Sequence, residues 1–257
     1  VSEDDFNACA AIVERGDPDR FLAAMAAKPA ARQALFAIYA FNVEVARAPW
    51  VTQESMIAEM RLQWWRDALD EIRAGGIVRR HEVVTPLAHV LDERATGLLD
   101  DLVVARRWDI YRDPFEDMAA FEGYLEKTSG HLMLVAARAL GAIEDQVALD
   151  VGYAMGLANW LRAIPVLEAN KRVPLVDGRL EAVSELAKRG AQRLKRAQAS
   201  RGKVDAAATQ ALFAAWEAKA ILAQACRHPE RVADGSLGQS EFAKRAGLTW
   251  RAMLGRW

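Results

Sequence analysis

Apolar residues recur along this chain three and four positions apart, the spacing that lines one face of an α-helix. No run alternates apolar and polar residues between hairpin turns, so the pattern predicts an all-α fold. Proline and glycine fall mostly at junctions between periodic stretches. They divide the chain into helices expected over 3–15, 18–27, 30–46, 53–73, 86–104, 114–140, 145–168, 179–199, 204–226 and 239–254. Ser2 with Asp5 three residues later reads as a capping box. Asp17-Pro18, Thr85-Pro86 and Asp113-Pro114 each set a capping side chain before a proline suited to a first helical turn. In the 114–140 segment, Phe121, Leu125, Leu132, Leu134, Val135 and Ala139 occupy more than one side, which predicts a helix surrounded by others. The segments 30–46, 53–73, 114–140 and 145–168 are expected to enclose one central space.

Length turns this list of helices into an architecture. A chain of 257 residues can bury a full core as one unit, so a single domain over 1–257 is expected. No repeat of fixed period appears, Gly75-Gly76 and Ala233 to Gly238 read as short connectors, and the Ala-rich segment from Asp205 to Ala225 is a strong helix former. Charge narrows the partners: 34 basic against 35 acidic residues leave a formal charge of −1, which gives no global field for nucleic acid or anionic lipid. Cys9 and Cys226 belong to no CxxC or Cys/His cluster, which favours a reducing compartment over structural zinc or a disulfide. No stretch approaches the roughly 18–20 apolar residues of a membrane span, and the acidic start is unlike a targeting peptide. The expectation is a cytoplasmic protein, with peripheral membrane contact left open and, because the sequence starts at Val1, a removed leader left open as well.

Two blocks carry more specific information. Arg32-Gln33-Ala34-Leu35-Phe36-Ala37-Ile38-Tyr39-Ala40-Phe41, followed by Leu62-Gln63-Trp64-Trp65-Arg66-Asp67-Ala68-Leu69, resembles the first signature of the squalene/phytoene synthases. Gly156-Leu157-Ala158-Asn159-Trp160-Leu161-Arg162, followed by Lys171-Arg172-Val173-Pro174-Leu175, is similar to the second. Tyr124-Leu125-Glu126-Lys127-Thr128-Ser129-Gly130 resembles the family's tyrosine-containing central helix. The resemblance runs from about Phe21 to Pro174 and implies an isoprenoid-synthase-like helical bundle around a central cavity.

Enzymes of that family join two prenyl diphosphates, and two DxxxD motifs on facing helices hold magnesium ions that bind and ionise them. Carboxylates four apart share a helix face and can together hold hard cations that offset the leaving group's charge. Here Ala46 and Trp50 stand where the first pair of acids belongs, with Glu44 the only acid nearby, and Ala163 and Leu167 stand in the second. The expectation is therefore no magnesium, no other cofactor and no metal-dependent head-to-head synthesis. The wording around Asn42-Val43-Glu44 and Ala163-Ile164-Pro165 is closer to a divergent branch of the family that includes the mitochondrial assembly factor for respiratory complex I.

The binding candidates are Tyr39, Glu44, Tyr124, Asn159, Arg162, Lys171 and Arg172, with no catalytic residue and no metal ligand among them. Asn159 and Arg162, three apart, could receive an anion together with Lys171 and Arg172; the alternative is that Arg162 pairs with a nearby acid and the Lys-Arg pair is solvated. Arg162 is expected to share an inward face with Asn159. Asp113 to Asp117 spells DxxxD, but reads as a cap and dipole-favoured acids at a helix start. Asp67, Asp70 and Glu71 share a face on which Arg66 and Arg73 can neutralise Asp70. Trp64 and Trp65 beside Tyr39 and Phe41 could wall a prenyl tunnel, although core packing is the commoner role. His81, His89, His131 and His228 lack ligand-spaced partners.

Three functions remain. The first is non-catalytic partner binding in respiratory-complex assembly, with a respiratory-complex subunit as partner. The second is prenyl transfer through an altered site, and the third is binding of an isoprenoid ligand without turnover. The space between the helices carrying Ala46 and Ala163 separates them: open and lipid-lined favours the second and third, filled favours the first.

Overall fold

The computed structural model describes residues 3–257, so the Ser2 end of the expected capping box lies outside the described residues. The chain forms α1 (Glu3–Gly16), α2 (Pro18–Ala26), α3 (Pro29–Arg47), α4 (Ser55–Arg73), α5 (Val84–Leu87), α6 (Glu93–Ala105) and α7 (Met118–Leu125). It continues with α8 (His131–Arg138), α9 (Asp145–Ala169), α10 (Leu180–Ala199), α11 (Thr209–Leu212), α12 (Ala218–Arg227), α13 (Glu230–Ala233) and α14 (Glu241–Leu254). Among the described residues the only extended pairing is the isolated bridge between Ile143 and Val204.

The all-α expectation holds, and side-chain caps explain several boundaries. Asp17 accepts from the Arg20 backbone N–H with Pro18 in the first turn of α2, as its sequence suggests. The other proline starts do not hold. Thr85 lies inside the short α5 and its hydroxyl accepts from the His81 N–H instead. Asp113 starts no helix; Asp117 does, accepting from Ala120 N–H at 2.7 Å, so α7 begins four residues later than expected. The expected 86–104 helix is two pieces, because Asp92 accepts from Ala95 N–H and opens a new helix at Glu93. The 204–226 helix is also broken, into α11, a 3-10 turn and α12.

From Met118 to Arg138 the chain is one rod in which a π-helical turn, Glu126–Gly130, joins α7 to α8. The Thr128 hydroxyl donates to the Tyr124 carbonyl at 2.7 Å in this stretch. Helix α9 lies beside the π turn and packs on α8, α10 and α12. Gly152 makes that approach feasible: a Cβ there would stand 2.6 Å from the Ser129 carbonyl oxygen and 2.7 Å from the Gly130 Cα. Val151, Tyr153, Ala154, Leu157 and Leu161 are completely buried, so it is α9 that runs through the middle of the bundle. Helices α1 and α2 pack on α3, and α4 packs on α6.

Candidate functional site

A cavity of about 550 Å³ opens between α3, the α7–π–α8 rod and α9. Its apolar wall includes Val43, Ala46, Trp50, Leu125, Trp160, Ala163 and Leu167. Ala46 and Trp50 enter from one side and Ala163 and Leu167 from another, so all four positions at which the resemblance sets acids line the same space. The expected enclosure needs one correction. Helix α4 contributes nothing to the wall; Gly16, Asp17 and Arg20 from α1–α2 and Arg106 and Asp109 from the turn after α6 take its place. Helix α4 instead turns its buried side to the core, where Trp65 meets Phe41 edge-on at 5.3 Å.

The polar groups in the cavity are largely committed to each other. Arg20 is ion-paired to Asp17. Arg106 donates to the Tyr124 hydroxyl at 2.8 Å and to Asp109 at 3.1 Å, while Tyr124 donates to Asp109 at 3.0 Å. Burial drives the Tyr124 phenol far above its ordinary pKa, so it stays protonated and donating. The two cavity carboxylates, Asp17 and Asp109, therefore each already hold an arginine. Magnesium does not fit here: it requires several oxygen ligands, and the residues facing one another across the space are two alanines, a tryptophan and a leucine. No group of three or more His, Cys, Asp or Glu side chains able to hold a metal occurs among the described residues.

Four buried polar atoms of the wall have no hydrogen-bond partner among the described residues: Asn42 Oδ1, Ser129 Oγ, Arg20 Nε and Arg106 Nε. Asn42 and Ser129 are 5% and 6% exposed, so both are buried polar residues of the wall. Buried polar atoms ordinarily find a partner, and clusters of exceptions point to a bound molecule or water.

Of the seven candidates, Tyr124 and Asn159 line the cavity and the others do not. Tyr39 is core: its hydroxyl donates to the Ala211 carbonyl at 3.4 Å and its ring is 2% exposed. Glu44 faces a separate small pocket beside Trp64, Trp65 and His81. Arg162 departs from the expected shared face. Asn159, Ala163 and Leu167 lie four apart and point into the cavity, whereas Arg162, one step from that row, reaches Asp19 at 3.1 Å and Glu217 at 3.0 Å. Lys171 takes the left-handed position of a turn that ends α9, with φ 61°, and is exposed. Arg172 is buried, donates to the backbone carbonyls of Tyr111 (2.7 Å) and Asp109, and lies 4.7 Å from the Trp50 ring and 5.4 Å from that of Trp108. It clamps the end of α9 to the turn that carries Asp109. Neither it nor Lys171 joins Asn159.

Sequence reasoning passed over Arg20, Asn42, Arg106, Asp109 and Ser129. Asn42 and Ser129 lie inside the quoted blocks and were legible as polar residues in apolar surroundings. Arg106 and Asp109 lie in no motif.

Residues 13–229 match the Squalene/phytoene synthase family model. The chain belongs to the squalene/phytoene synthase family. Membership extends well past Pro174, where the recognisable motifs stop. The chain is 33% identical over 181 residues to the Drosophila melanogaster homolog of NADH dehydrogenase (ubiquinone) complex I, assembly factor 6, covering 65% of this chain and 53% of that protein. It is 25% identical to the Homo sapiens assembly factor 6 over 181 residues, covering 64% and 51%. The chain thus spans about half the length of these relatives. Among solved structures, a dehydrosqualene synthase in complex with ligand superposes with a TM-score of 0.79 at 17% identity, covering 97% of this chain and 95% of that one. The squalene synthase HpnC from Alicyclobacillus acidocaldarius superposes at 0.71 and 15% identity, covering 88% and 94%. Those two likenesses establish the isoprenoid-synthase fold.

Proposed function

We propose that this squalene/phytoene synthase-like protein acts without prenyl transfer, by binding a partner during assembly of respiratory complex I or a similar enzyme. Two observations carry the reading: the relatives that align with it are named as complex I assembly factors, and its cavity presents Ala46, Trp50, Ala163 and Leu167 at the family's acidic positions. Those four positions offer no oxygen ligands, and with Asp17 and Asp109 each holding an arginine the wall has no free carboxylate pair to gather the cations that ionise a diphosphate. The test is a strain lacking the gene. Loss of complex I activity with unchanged isoprenoid products supports the proposal; altered isoprenoids with normal complex I activity contradict it.

A second reading, an isoprenoid ligand held without turnover, has its own support, because the cavity is open rather than filled. Asp17 pairs with Arg20 and Asp109 with Arg106, and the atoms left without a partner are Asn42 Oδ1, Ser129 Oγ and the Nε atoms of the two arginines. Because Asp17 and Asp109 already offset the two guanidinium charges, the wall suits an uncharged apolar molecule with a hydroxyl group better than a diphosphate. Trp50 and Trp160 in the wall provide the readout. Quenching by farnesol that is weakened in Asn42→Leu supports this reading, and tighter binding of farnesyl diphosphate opposes it.

A further inference from the structure

The outer face of α14 carries large apolar side chains exposed to solvent. At 100° per residue, Phe242, Ala246, Trp250 and Met253 fall on one side of α14, and that side is exposed: Phe242 by 84%, Trp250 by 64% and Met253 by 76%. Its charged residues are not all outside. Lys244 is turned inward to the carboxylates of Glu217 (3.6 Å) and Glu241 (3.2 Å), next to the buried Leu248.

Several contacts keep the helix from rotating to hide these rings. Lys244 holds its first turns through the buried Glu217. Beyond its end, Gln198 and Arg201 both donate to the Trp257 carbonyl, and the Arg201 guanidinium lies 5.3 Å from the Trp257 ring. The apolar side is therefore presented outward by anchors on both ends, and an exposed patch of this kind marks a contact surface.

Charge selects the occupant. From Glu241 to Trp257 the chain has four basic residues, Lys244, Arg245, Arg251 and Arg256, against the one acid Glu241, within a protein whose formal charge is −1. Arg245, beside Phe242 and Ala246 around the helix, and Arg256, just past the helix end, are exposed. Aromatic and sulfur-bearing side chains flanked by arginine suit a helix lying in the plane of a bilayer interface, where the rings enter the headgroup region and the cations meet anionic lipid. No helix among the described residues is long and apolar enough to cross a membrane, so insertion from one side is the geometry α14 allows. We propose that α14 is a membrane-docking element that lays Phe242, Trp250 and Met253 into an anionic lipid surface. This is independent of the cavity and of the assembly reading.

Flotation with vesicles tests it, using phosphatidylcholine alone and phosphatidylcholine with about a quarter phosphatidylglycerol. The full chain should float with the anionic vesicles and not with the neutral ones, and added salt should weaken the association. Phe242→Ser with Trp250→Ser should lower the apparent affinity at least about tenfold, and Arg245→Glu with Arg256→Glu should lower it as well. All four side chains are exposed, so an unchanged melting curve verifies the fold. Absence of binding to anionic vesicles, or binding that the Phe242/Trp250 change leaves intact, overturns the proposal. So does a dimer in light scattering that this change abolishes in a protein that never floats, because the face then belongs to a second copy.

Discussion

Arg162 donates to Glu217 at 3.0 Å and thereby ties the central helix α9 to the start of α12. Asp19 of α2 meets the same guanidinium at 3.1 Å, and Lys244 of α14 completes the cluster at 3.6 Å from Glu217. Within this chain the signature arginine is therefore a joint between helices and not a wall of the cavity. Burial raises the Glu217 pKa despite the two cations beside it.

Arg162→Ala should therefore lower stability and leave the cavity's affinity for farnesol unchanged. The variant keeps a buried carboxylate with Lys244 as its remaining cation, so the cost expected in chemical denaturation is about 2–3 kcal/mol, below the range for a fully buried pair that loses one partner. A stable variant with altered farnesol binding would return Arg162 to the cavity.

Asn42→Leu is expected to act in the opposite direction on stability. Leucine is close in size to asparagine and removes the unpartnered Asn42 Oδ1, so a gain of about 1 kcal/mol in denaturant unfolding follows if the cavity is empty. A loss of similar size would mean that water or a ligand satisfies that oxygen in the native protein.

Gly152→Ala should destabilise by about 1–3 kcal/mol or prevent folding, because its Cβ would meet the backbone of Ser129 and Gly130, which cannot rotate away. Thermal unfolding checks this. A melting temperature equal to the parent's would show that α9 and the π turn are less closely apposed than described.

One pH effect has a definite sign. Hydrogen bonds from the Arg79 side chain and backbone N–H pull the Glu71 pKa from 4.5 to about 2. The depressed value means that its stabilisation is complete above 4.5 and is lost as pH falls toward about 2. The difference in melting temperature between the parent and Glu71→Gln should hold steady above pH 4.5 and shrink through that window. A difference independent of pH would rule out the ionised pair as its source.

Much of this arrangement was legible in the sequence, and what was not has identifiable causes. Periodicity located α3, α4, α9 and α10 to within two residues at each end, even with Pro165 inside α9. It failed where local preference and tertiary packing disagree. The Ala-rich 204–226 stretch favours a helix, yet Asp205 accepts from Ala142 N–H through its side chain, its backbone N–H donates to the Ala142 carbonyl, and Ala208 lies against Gly141, which together hold the stretch in short turns. The cavity positions Ala46, Trp50, Ala163 and Leu167 followed from motif register. The destination of Arg162 did not, because Asp19 and Glu217 lie 143 and 55 residues away. Asp70 is neutralised by Arg73 as spacing suggests, but Arg66 goes to Asp100, 34 residues on, and Glu71 to Arg79.

The most direct measurement of the central claim is release of inorganic diphosphate from farnesyl or geranylgeranyl diphosphate by the purified protein with magnesium present. With alanine, tryptophan and leucine at the positions where the family's acids gather the metal, release should equal the protein-free rate, and no coupled hydrocarbon should form. Release above that rate, abolished by chelation and accompanied by a head-to-head product, would contradict a function without prenyl transfer.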